Sequence, residues 1–168
     1  MAKRNNAGTS GEQALRQHLV ELLEGGHAHV NFDKAIKGIP AALRGRAPRA
    51  LPYSPWQLLE HLRIAQSDIL EFSRDPAHQS PKWPEGYWPA AANARPSESA
   101  WRKSVADFRR DLKAMQALVA NPATDLFARI PWGDGQTILR EALLVVDHNA
   151  YHLGELVVAR RLLGAWGG

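Results

Sequence analysis

The segment Asp147-His-Asn-Ala-Tyr-His-Leu-Gly-Glu-Leu156 carries two histidines four residues apart near the end of this 168-residue chain. In a helix, this spacing brings His148 and His152 to one face, about 6 Å apart along the axis. The same face carries Leu144, Leu156 and Ala159. Because apolar residues on one helical face pack into a core, we expect both imidazoles to be buried, where polar groups need partners.

A third histidine, His61, occupies a matching position in another predicted helix. Ser54 and Gln57 fit a capping box, and Pro55 fits the first helical position, so a helix is predicted to begin here. The apolar face that includes His61 also carries Leu58, Leu62 and Ala65. If this helix packs against the one that carries His148, a single metal ion can satisfy all three imidazoles.

Spacing alone leaves two interpretations of the three histidines open. In the first, His61, His148 and His152 bind a divalent metal, and a set of three imidazoles leaves coordination positions for water or substrate, as in catalytic sites. In the second, they are ordinary core histidines satisfied by hydrogen bonds.

Glu155 is the candidate catalytic residue, because it follows His152 by three positions on nearly the same face. Its carboxylate can accept a proton, hydrogen-bond a water on the metal, or fix an imidazole tautomer. Asp147 and Glu60 each adjoin a histidine, but neighbouring side chains diverge by about 100° on a helix, which makes both weaker candidates. Tyr151 is predicted to point away from His152 and to pack.

The histidine segment differs from two known helical metal motifs. Asn149 stands where the zinc proteases with an H-E-x-x-H motif carry their glutamate. The pattern of di-iron bundles, which requires Glu-x-x-His on two helices, is also missing. The sequence has no cysteine, no Gly-rich phosphate loop and no G-x-S-x-G motif, so any chemistry must come from a metal and what it binds.

The rest of the chain divides into helices and polar loops. Three helices are predicted to start behind the caps Ser54, Ser97 and Thr137 and to end near Arg74, Ala120 and Leu163. A first helix is predicted over residues 9–37, with Gly25-Gly26 as a kink or a break. No stretch alternates with period two. The sequence therefore predicts an all-α four-helix bundle with long loops, a single domain over residues 9–168 behind a flexible tail of residues 1–8.

The loop of residues 75–96 is rich in proline and contains three aromatic residues, Trp83, Tyr87 and Trp88. Long loops in small domains are often functional, and these rings can cover the mouth of a site. The alternative is that they only attach the loop to the bundle.

Composition and charge narrow the class of protein. The net charge of +4 is spread over scattered arginines, which favours a solvated basic surface over a nucleic-acid interface. The N-terminus lacks the apolar stretch of a signal peptide, and no segment reaches the ~18 apolar residues of a membrane span. With no cysteine either, we expect a cytoplasmic protein that binds neither membrane nor nucleic acid.

Three segments resemble the DinB-like superfamily, the damage-inducible four-helix-bundle metalloproteins also typified by YfiT. Ser54-Pro-Trp-Gln-Leu-Leu-Glu-His61-Leu is similar to the start of the family's second helix. The segment that contains His148 and His152 resembles its last-helix signature, in which H-x-x-x-H is followed by x-G-Q/E-L, and Thr137-Ile-Leu-Arg-Glu-Ala-Leu resembles the entry to that helix. The resemblance implies a bundle with a metal-binding cavity, whose ligands fall on His61, His148 and His152.

The resemblance also implies a function. Zinc, nickel and iron are the expected metals, and homodimers are common among such proteins. Some relatives transfer or isomerise substrates with low-molecular-weight thiols such as bacillithiol or mycothiol, and others are hydrolases. We therefore expect a metal-dependent enzyme, a thiol-dependent S-transferase or a hydrolase, that acts on a small molecule as a homodimer. The alternative is a non-catalytic metal-binding stress-response protein.

Overall fold

The computed structural model describes residues 6–89 and 95–167. Its helices are α1 (Asn6–Glu24), α2 (Phe32–Ile36), α3 (Pro55–Arg74), α4 (Glu98–Ala120) and α5 (Ile138–Leu162). A 3₁₀ turn, Glu85–Tyr87, interrupts the loop between α3 and α4. Within the described residues the only β pairing is one isolated bridge between Arg129 and Thr137, so the predicted all-α class is confirmed.

Side-chain caps start the three helices where the sequence predicts them. At α3, the Ser54 hydroxyl accepts the backbone N–H of Gln57, and the Gln57 side chain accepts the backbone N–H of Ser54, which completes the capping box. The Ser97 and Thr137 hydroxyls accept backbone N–H groups of α4 and α5 in the same way. Gly164, with a φ of 67°, follows α5 as a left-handed terminating residue.

The glycine pair breaks the first predicted helix rather than kinking it. Gly25 and Gly26 have φ angles of 70° and 93°, in the left-handed region that ends a helix. The chain resumes as the short helix α2 behind the cap Asn31, whose side chain accepts the N–H of Lys34. At the other end, α1 begins at Asn6, so residues 6–8 of the predicted tail are helical, and residues 1–5 lie outside the described residues.

The four long helices form a ring in which α3 packs against α4 and α5, and α1 also packs against α4 and α5. Among the described residues, the backbones of α1 and α3 do not approach each other closely, so these two helices lie diagonally opposite each other. The apolar faces that fill the centre include Leu19, Leu58, Leu59, Leu62, Leu70, Phe108, Met115, Leu126, Val145 and Leu156. Because α3 and α5 are neighbours, their histidine-bearing faces meet.

Two buried arginines fasten the ends of elements to the bundle. Arg16 of α1 donates to the backbone oxygens of Val119, Asn121 and Thr124, at the end of α4. Arg160 of α5, only 4% exposed, donates to the Ala35 and Lys37 oxygens at the end of α2 and to the Ala165 oxygen. Both guanidinium groups satisfy helix-terminal carbonyls that have no partner within their own helix.

Helix α5 is apolar on its outer face as well as its inner face. The exposed large apolar residues on it are Leu143, Tyr151, Val158 and Leu162. Despite this composition, none of the helices in the described part of the chain is long and apolar enough to cross a membrane. The outer face of α5 therefore exposes more large apolar residues than is usual for a helix surface.

We predict opposite effects of two glycine-to-alanine changes on the free energy of unfolding. Gly26→Ala forces a side chain into a left-handed conformation and should lower it by about 1–2 kcal/mol. Gly11→Ala, in the interior of α1 with open space around it, should raise it by about 1 kcal/mol. Urea denaturation of the two variants measures both, and a stabilising Gly26→Ala would contradict the assigned break.

Candidate metal centre

Three imidazoles from two helices converge at the seam between α3 and α5. The Nε2 atom of His61 lies 3.0 Å from Nε2 of His148 and 3.1 Å from Nε2 of His152. One nitrogen from each ring lies within 4.8 Å of the others, as in a group that can hold a metal ion. The structure thus brings together the three residues that the sequence predicted as one set.

Burial keeps the three rings neutral. His61 and His152 are 4% and 9% exposed, and His148 is partly buried beside them. Burial, together with a smaller effect of the neighbouring imidazoles, lowers the pKa of His148 and of His152 to about 4. Burial also lowers the pKa of His61, against a smaller opposing effect of a backbone hydrogen bond. Neutral imidazoles are the form that binds metals.

Acceptor groups outside the cluster fix the tautomers of two rings. Nδ1 of His61 lies 3.0 Å from the backbone oxygen of Tyr87, and Nδ1 of His152 lies 2.7 Å from Oε2 of Glu155. A carbonyl oxygen and a carboxylate oxygen only accept, so both Nδ1 atoms carry the proton. The Nε2 atoms of His61 and His152 therefore face each other with lone pairs.

The ring nitrogens of the three histidines are arranged so that they can bind a cation. Nitrogens bound to a tetrahedral Zn²⁺ at about 2.0–2.1 Å lie about 3.3–3.4 Å apart. The observed separations of 3.0 and 3.1 Å are shorter by a few tenths of an ångström, a difference that a small side-chain adjustment removes. Hydrogen-bonded Nδ1 groups behind the ligand atoms are the usual outer contacts of metal-binding histidines. The three residues therefore fit a divalent metal.

The aromatic loop covers the histidine cluster. The Trp88 ring stacks on His61, with centroids 3.9 Å apart and planes within 4°, and Tyr53 stacks on the other side of Trp88 at 4.1 Å. Tyr87 supplies the backbone oxygen that accepts from His61. The rings attach the loop to the bundle and also lie over the site, so the interpretation that they only attach the loop does not hold. Its residues 90–94 lie outside the described residues.

A carboxylate on α3 anchors the same loop. Asp68 accepts the Tyr87 hydroxyl at 2.6 Å on one oxygen, and its other oxygen lies 2.7 Å from Nε2 of His78. Burial and the hydrogen bond to Asp68 raise the pKa of Tyr87 to about 12, so its phenol stays protonated and donating. The anchored Tyr87 side chain holds the backbone oxygen that orients His61.

A cleft of about 320 Å³ opens beside the imidazoles. Its walls are mainly apolar and aromatic, and they are formed by Ala65, Asp68, Ile69, Trp83, Tyr87 and Leu144 together with the three histidines. This volume lies in the range of small-molecule sites, which are mostly apolar with a few placed polar groups. The cleft lets a small molecule approach the imidazole nitrogens.

The weaker sequence candidates lie outside the cluster. Glu60 forms a two-pronged ion pair with Arg63, and Asp147 is exposed on the outer side of α5. Tyr151 is 65% exposed and meets the His152 ring edge-on at 4.9 Å, so the prediction that it packs was wrong. It fills a position on the outer face of α5, not on the core face.

Sequence reasoning missed three contributors to the site: the Tyr87 backbone oxygen, the anchor Asp68 and the stacking of Trp88 on His61. A backbone atom has no sequence signal at all. Asp68 lies seven residues after His61, two helical turns along the same face of α3, which is the one pattern that points to it. Which ring of the loop would stack on His61 depends on the path of the loop.

Comparison with known proteins agrees with this geometry. The sequence profile of the DinB superfamily matches residues 26–156, which include all three histidines. Neither the comparison with curated proteins nor the comparison with solved structures gave a significant match. Because the profile covers well over half of the chain, the chain belongs to the DinB superfamily.

The metal-free protein should lose stability as the pH falls from about 6.5 to about 4. Unfolded histidines titrate near 6.5, whereas His148 and His152 titrate near 4 in the fold, so the unfolded state binds more protons between these values. One pKa unit corresponds to about 1.4 kcal/mol per group, which predicts a loss of a few kcal/mol.

Urea denaturation of chelator-treated protein at several pH values measures this effect. The double variant His148→Ala/His152→Ala serves as the control, and its stability should vary much less over the same window. An equally steep loss in the double variant would show that other groups cause it.

Proposed function

We propose that this member of the DinB superfamily is a metal-dependent enzyme that binds a divalent ion through His61, His148 and His152 and acts on a small molecule. The observation that best supports the proposal is the convergence of three Nε2 atoms beside a cleft of about 320 Å³. Imidazole ligands suit zinc, nickel and iron, which are the metals we propose. Three protein ligands leave positions for other molecules, as in catalytic sites.

When bound, such an ion supplies a Lewis acid that lowers the pKa of a bound water or thiol. The chain's own residues prepare this chemistry. Tyr87 and Glu155 hold two imidazoles in the tautomer that presents Nε2. Trp88, stacked on His61, shields that ring from water, and a drier site strengthens the electrostatic interactions inside it.

Glu155 is proposed to have two roles, orienting His152 and accepting a proton from the reacting water or thiol. Its position supports the first role directly, because Oε2 contacts Nδ1 of His152 at 2.7 Å on the helix that carries two of the ligands. Burial raises the pKa of its carboxyl group toward neutrality, which makes the carboxylate a better proton acceptor.

We propose a thiol-dependent S-transferase as the first reaction class and a hydrolase as the second. The apolar wall formed by Ala65, Ile69 and Leu144 suits the carbon part of an electrophilic substrate. The aromatic residue Trp83, 69% exposed at the rim, offers a stacking surface for an entering molecule. The transferase reaction requires a thiol cosubstrate as the nucleophile, whereas the hydrolase reaction requires only water.

The alternative proposal is a non-catalytic metal-binding stress-response protein. The observation that favours it is the aromatic cover, since Trp88 and Tyr53 stack in sequence over His61 and close one side of the cluster. A metal that binds only the native state stabilises the fold, by about 2.7 kcal/mol at a hundredfold excess over its dissociation constant.

The triple variant His61→Ala/His148→Ala/His152→Ala should lose tight binding of Zn²⁺ and Co²⁺. Metal content after supplemented purification, and titration of the chelator-treated protein with either ion, measure this. The matched control is His18→Ala, which removes an exposed histidine on α1 and should leave metal binding unchanged. A wild-type protein that takes up no transition metal would exclude the metal centre.

Activity assays on the metal-loaded wild type separate the reaction classes. Bacillithiol, mycothiol and glutathione are each offered with electrophilic test substrates, and ester substrates test hydrolysis without thiol. We expect turnover that Glu155→Gln lowers by about 10²–10⁴-fold at saturating metal, if the carboxylate accepts the proton. Failure of all three thiols would remove the transferase, and metal binding without any turnover would favour the stress-response alternative.

We also propose that the outer face of α5 forms a homodimer interface. Its exposed positions follow helical spacing and comprise Leu143, Asp147, Tyr151, Gly154, Val158 and Leu162. Two copies of α5 running antiparallel about a two-fold axis between positions 152 and 153 place 143 against 162, 147 against 158 and 151 against 154. A symmetric dimer requires this kind of self-complementary surface.

Size and charge complementarity support a second copy as the occupant. Tyr151, 65% exposed, would meet Gly154, where even an added Cβ would contact nothing within 4 Å. Asp147 would lie one helical turn from the exposed Arg161 of the other copy, which suits an ion pair. Large residues therefore face open positions, and opposite charges face each other.

Gly154→Leu should weaken the dimer at least tenfold, because a leucine side chain would fill the open position that Tyr151 of the other copy would meet. It should not destabilise the fold, because leucine favours a helix more than glycine does. Sedimentation equilibrium measures the dissociation constant, and urea denaturation measures stability. Leu22→Ala, which removes an exposed leucine on α1, is the control and should leave the dimer unchanged. A wild-type monomer at high concentration would contradict the interface.

A further inference from the structure

The described walls of the cleft beside the imidazoles carry one carboxylate and no lysine or arginine. Asp68 is that carboxylate, and the other lining residues are the three histidines and apolar or aromatic side chains. Lys82 adjoins Trp83 in the sequence but does not line the cleft. These walls therefore offer no basic side chain to a carboxylate or phosphate group of a bound molecule, and Asp68 would repel such a group.

The Asp68 side chain can accept a further donor. Its Oδ2 accepts the Tyr87 hydroxyl at 2.6 Å, and its Oδ1 lies 2.7 Å from Nε2 of His78. A carboxylate offers about four lone-pair sites, so these two contacts leave about half of them free. A neutral imidazole with its proton on Nε2 is sufficient for the His78 contact, which therefore does not by itself cancel the negative charge. The side chain is 12% exposed, and shielding from water strengthens its attraction for a nearby cation.

Two aromatic rings line the cleft together with this carboxylate. The Trp83 and Tyr87 ring centroids lie 5.4 Å apart, and their planes are inclined by 59°. Trp83 is 69% exposed, so much of its ring is open to a bound molecule. The face of an aromatic ring is its negative side and attracts cations, most strongly in tryptophan. Asp68, Trp83 and Tyr87, here called the acidic–aromatic corner, thus combine the groups that recognise ammonium ions.

Apolar side chains lie between the acidic–aromatic corner and the histidines. Asp68 follows His61 by seven residues on α3, which places it about 10 Å farther along the helix axis. Ala65 lies between these two residues, and Leu144 lies one turn before His148 on α5. A molecule that spans the cleft therefore meets a negative group at one end, apolar side chains in the middle and imidazole nitrogens at the other end.

We propose that the substrate of this site is an organic cation, whose amine or quaternary ammonium group binds at the acidic–aromatic corner while its reactive group reaches the three histidines. Asp68 supplies the counter-charge, and the Trp83 and Tyr87 rings contact the apolar surface of the cationic group. This proposal rests on the proposed function, since it names the class of small molecule that the metal-dependent enzyme accepts. It makes Asp68 and Trp83 residues that determine specificity.

A pair of isosteric probes measures the contribution of charge alone. Choline and 3,3-dimethylbutan-1-ol share their shape and hydroxyl group, but only choline carries a positive charge, and that charge does not depend on pH. Isothermal titration calorimetry measures both affinities on the Zn²⁺-loaded protein and on the chelator-treated protein. We expect choline to bind about tenfold more tightly than the alcohol in both forms. Equal affinities, or no binding of choline in either form, would overturn the proposal.

Variants assign the charge preference to the corner. Asp68→Asn removes the charge but keeps an acceptor for the Tyr87 hydroxyl, and it should lower the choline affinity about tenfold while leaving the alcohol unchanged. Trp83→Leu removes the ring and should lower the choline affinity about 2–30-fold. The matched controls Asp134→Asn and Phe127→Leu change exposed residues outside the cleft and should alter neither affinity. An equal loss for both probes in Asp68→Asn would indicate a structural role and contradict the proposal.

The outcomes separate this proposal from the proposed function. If Zn²⁺ binds at the three histidines and choline has no advantage over the alcohol, the metal centre stands and the substrate class is wrong. If the protein takes up neither Zn²⁺ nor Co²⁺, the metal centre fails, and a preference for choline in the chelator-treated form still supports the corner as a cation site. Because Trp83 is exposed, its variant tests the corner even if Asp68→Asn destabilises the fold.

Discussion

The proposed metal centre depends on acceptor groups that lie behind the imidazoles. Because the Tyr87 carbonyl and the Glu155 carboxylate cannot donate, they place the protons of His61 and His152 on Nδ1, and the lone pairs converge. A cluster of lone pairs inside a bundle is unfavourable until a cation binds. The fold therefore stabilises the three rings in the one arrangement that suits a metal, with their pKa values lowered so that protons compete weakly for it.

The bundle supplies the rigidity that this arrangement needs. The α3–α5 seam sets the distance between His61 and the histidine pair, and buried Arg16 and Arg160 fasten α1 and α2 to the same framework through backbone carbonyls. Three kinds of element then meet at the cluster, namely helix side chains, a loop backbone and aromatic rings. These three kinds of element differ in how well the sequence predicts them.

Helical periodicity and capping residues were sufficient to predict the all-α bundle, three helix starts and the grouping of the three histidines. The family profile agrees with that prediction. The glycine pair left two outcomes open, because a propensity penalty does not distinguish a kink from a break, whereas the φ angles do. Glu155, the partner of the His152 Nδ1, follows from its position three residues after that histidine. The partner of the His61 Nδ1 was unpredictable, because it depends on where the 75–89 segment crosses α3, and that crossing is a tertiary property. Tyr151 was misjudged because α5 is apolar on both faces, so its hydrophobic pattern does not distinguish the buried face from the exposed face.

Since His61 is oriented by a main-chain oxygen, no substitution of a side chain can delete that acceptor. The residues that project from the same segment toward solvent, Trp83 above all, can therefore change without disturbing the metal ligands, provided that Asp68 and Tyr87 keep the segment in place. Under the proposed function, recognition of the substrate and retention of the metal are thus separable properties of one loop. A bundle built this way could acquire new substrates through changes at the rim alone, while the three histidines at its centre stay in place.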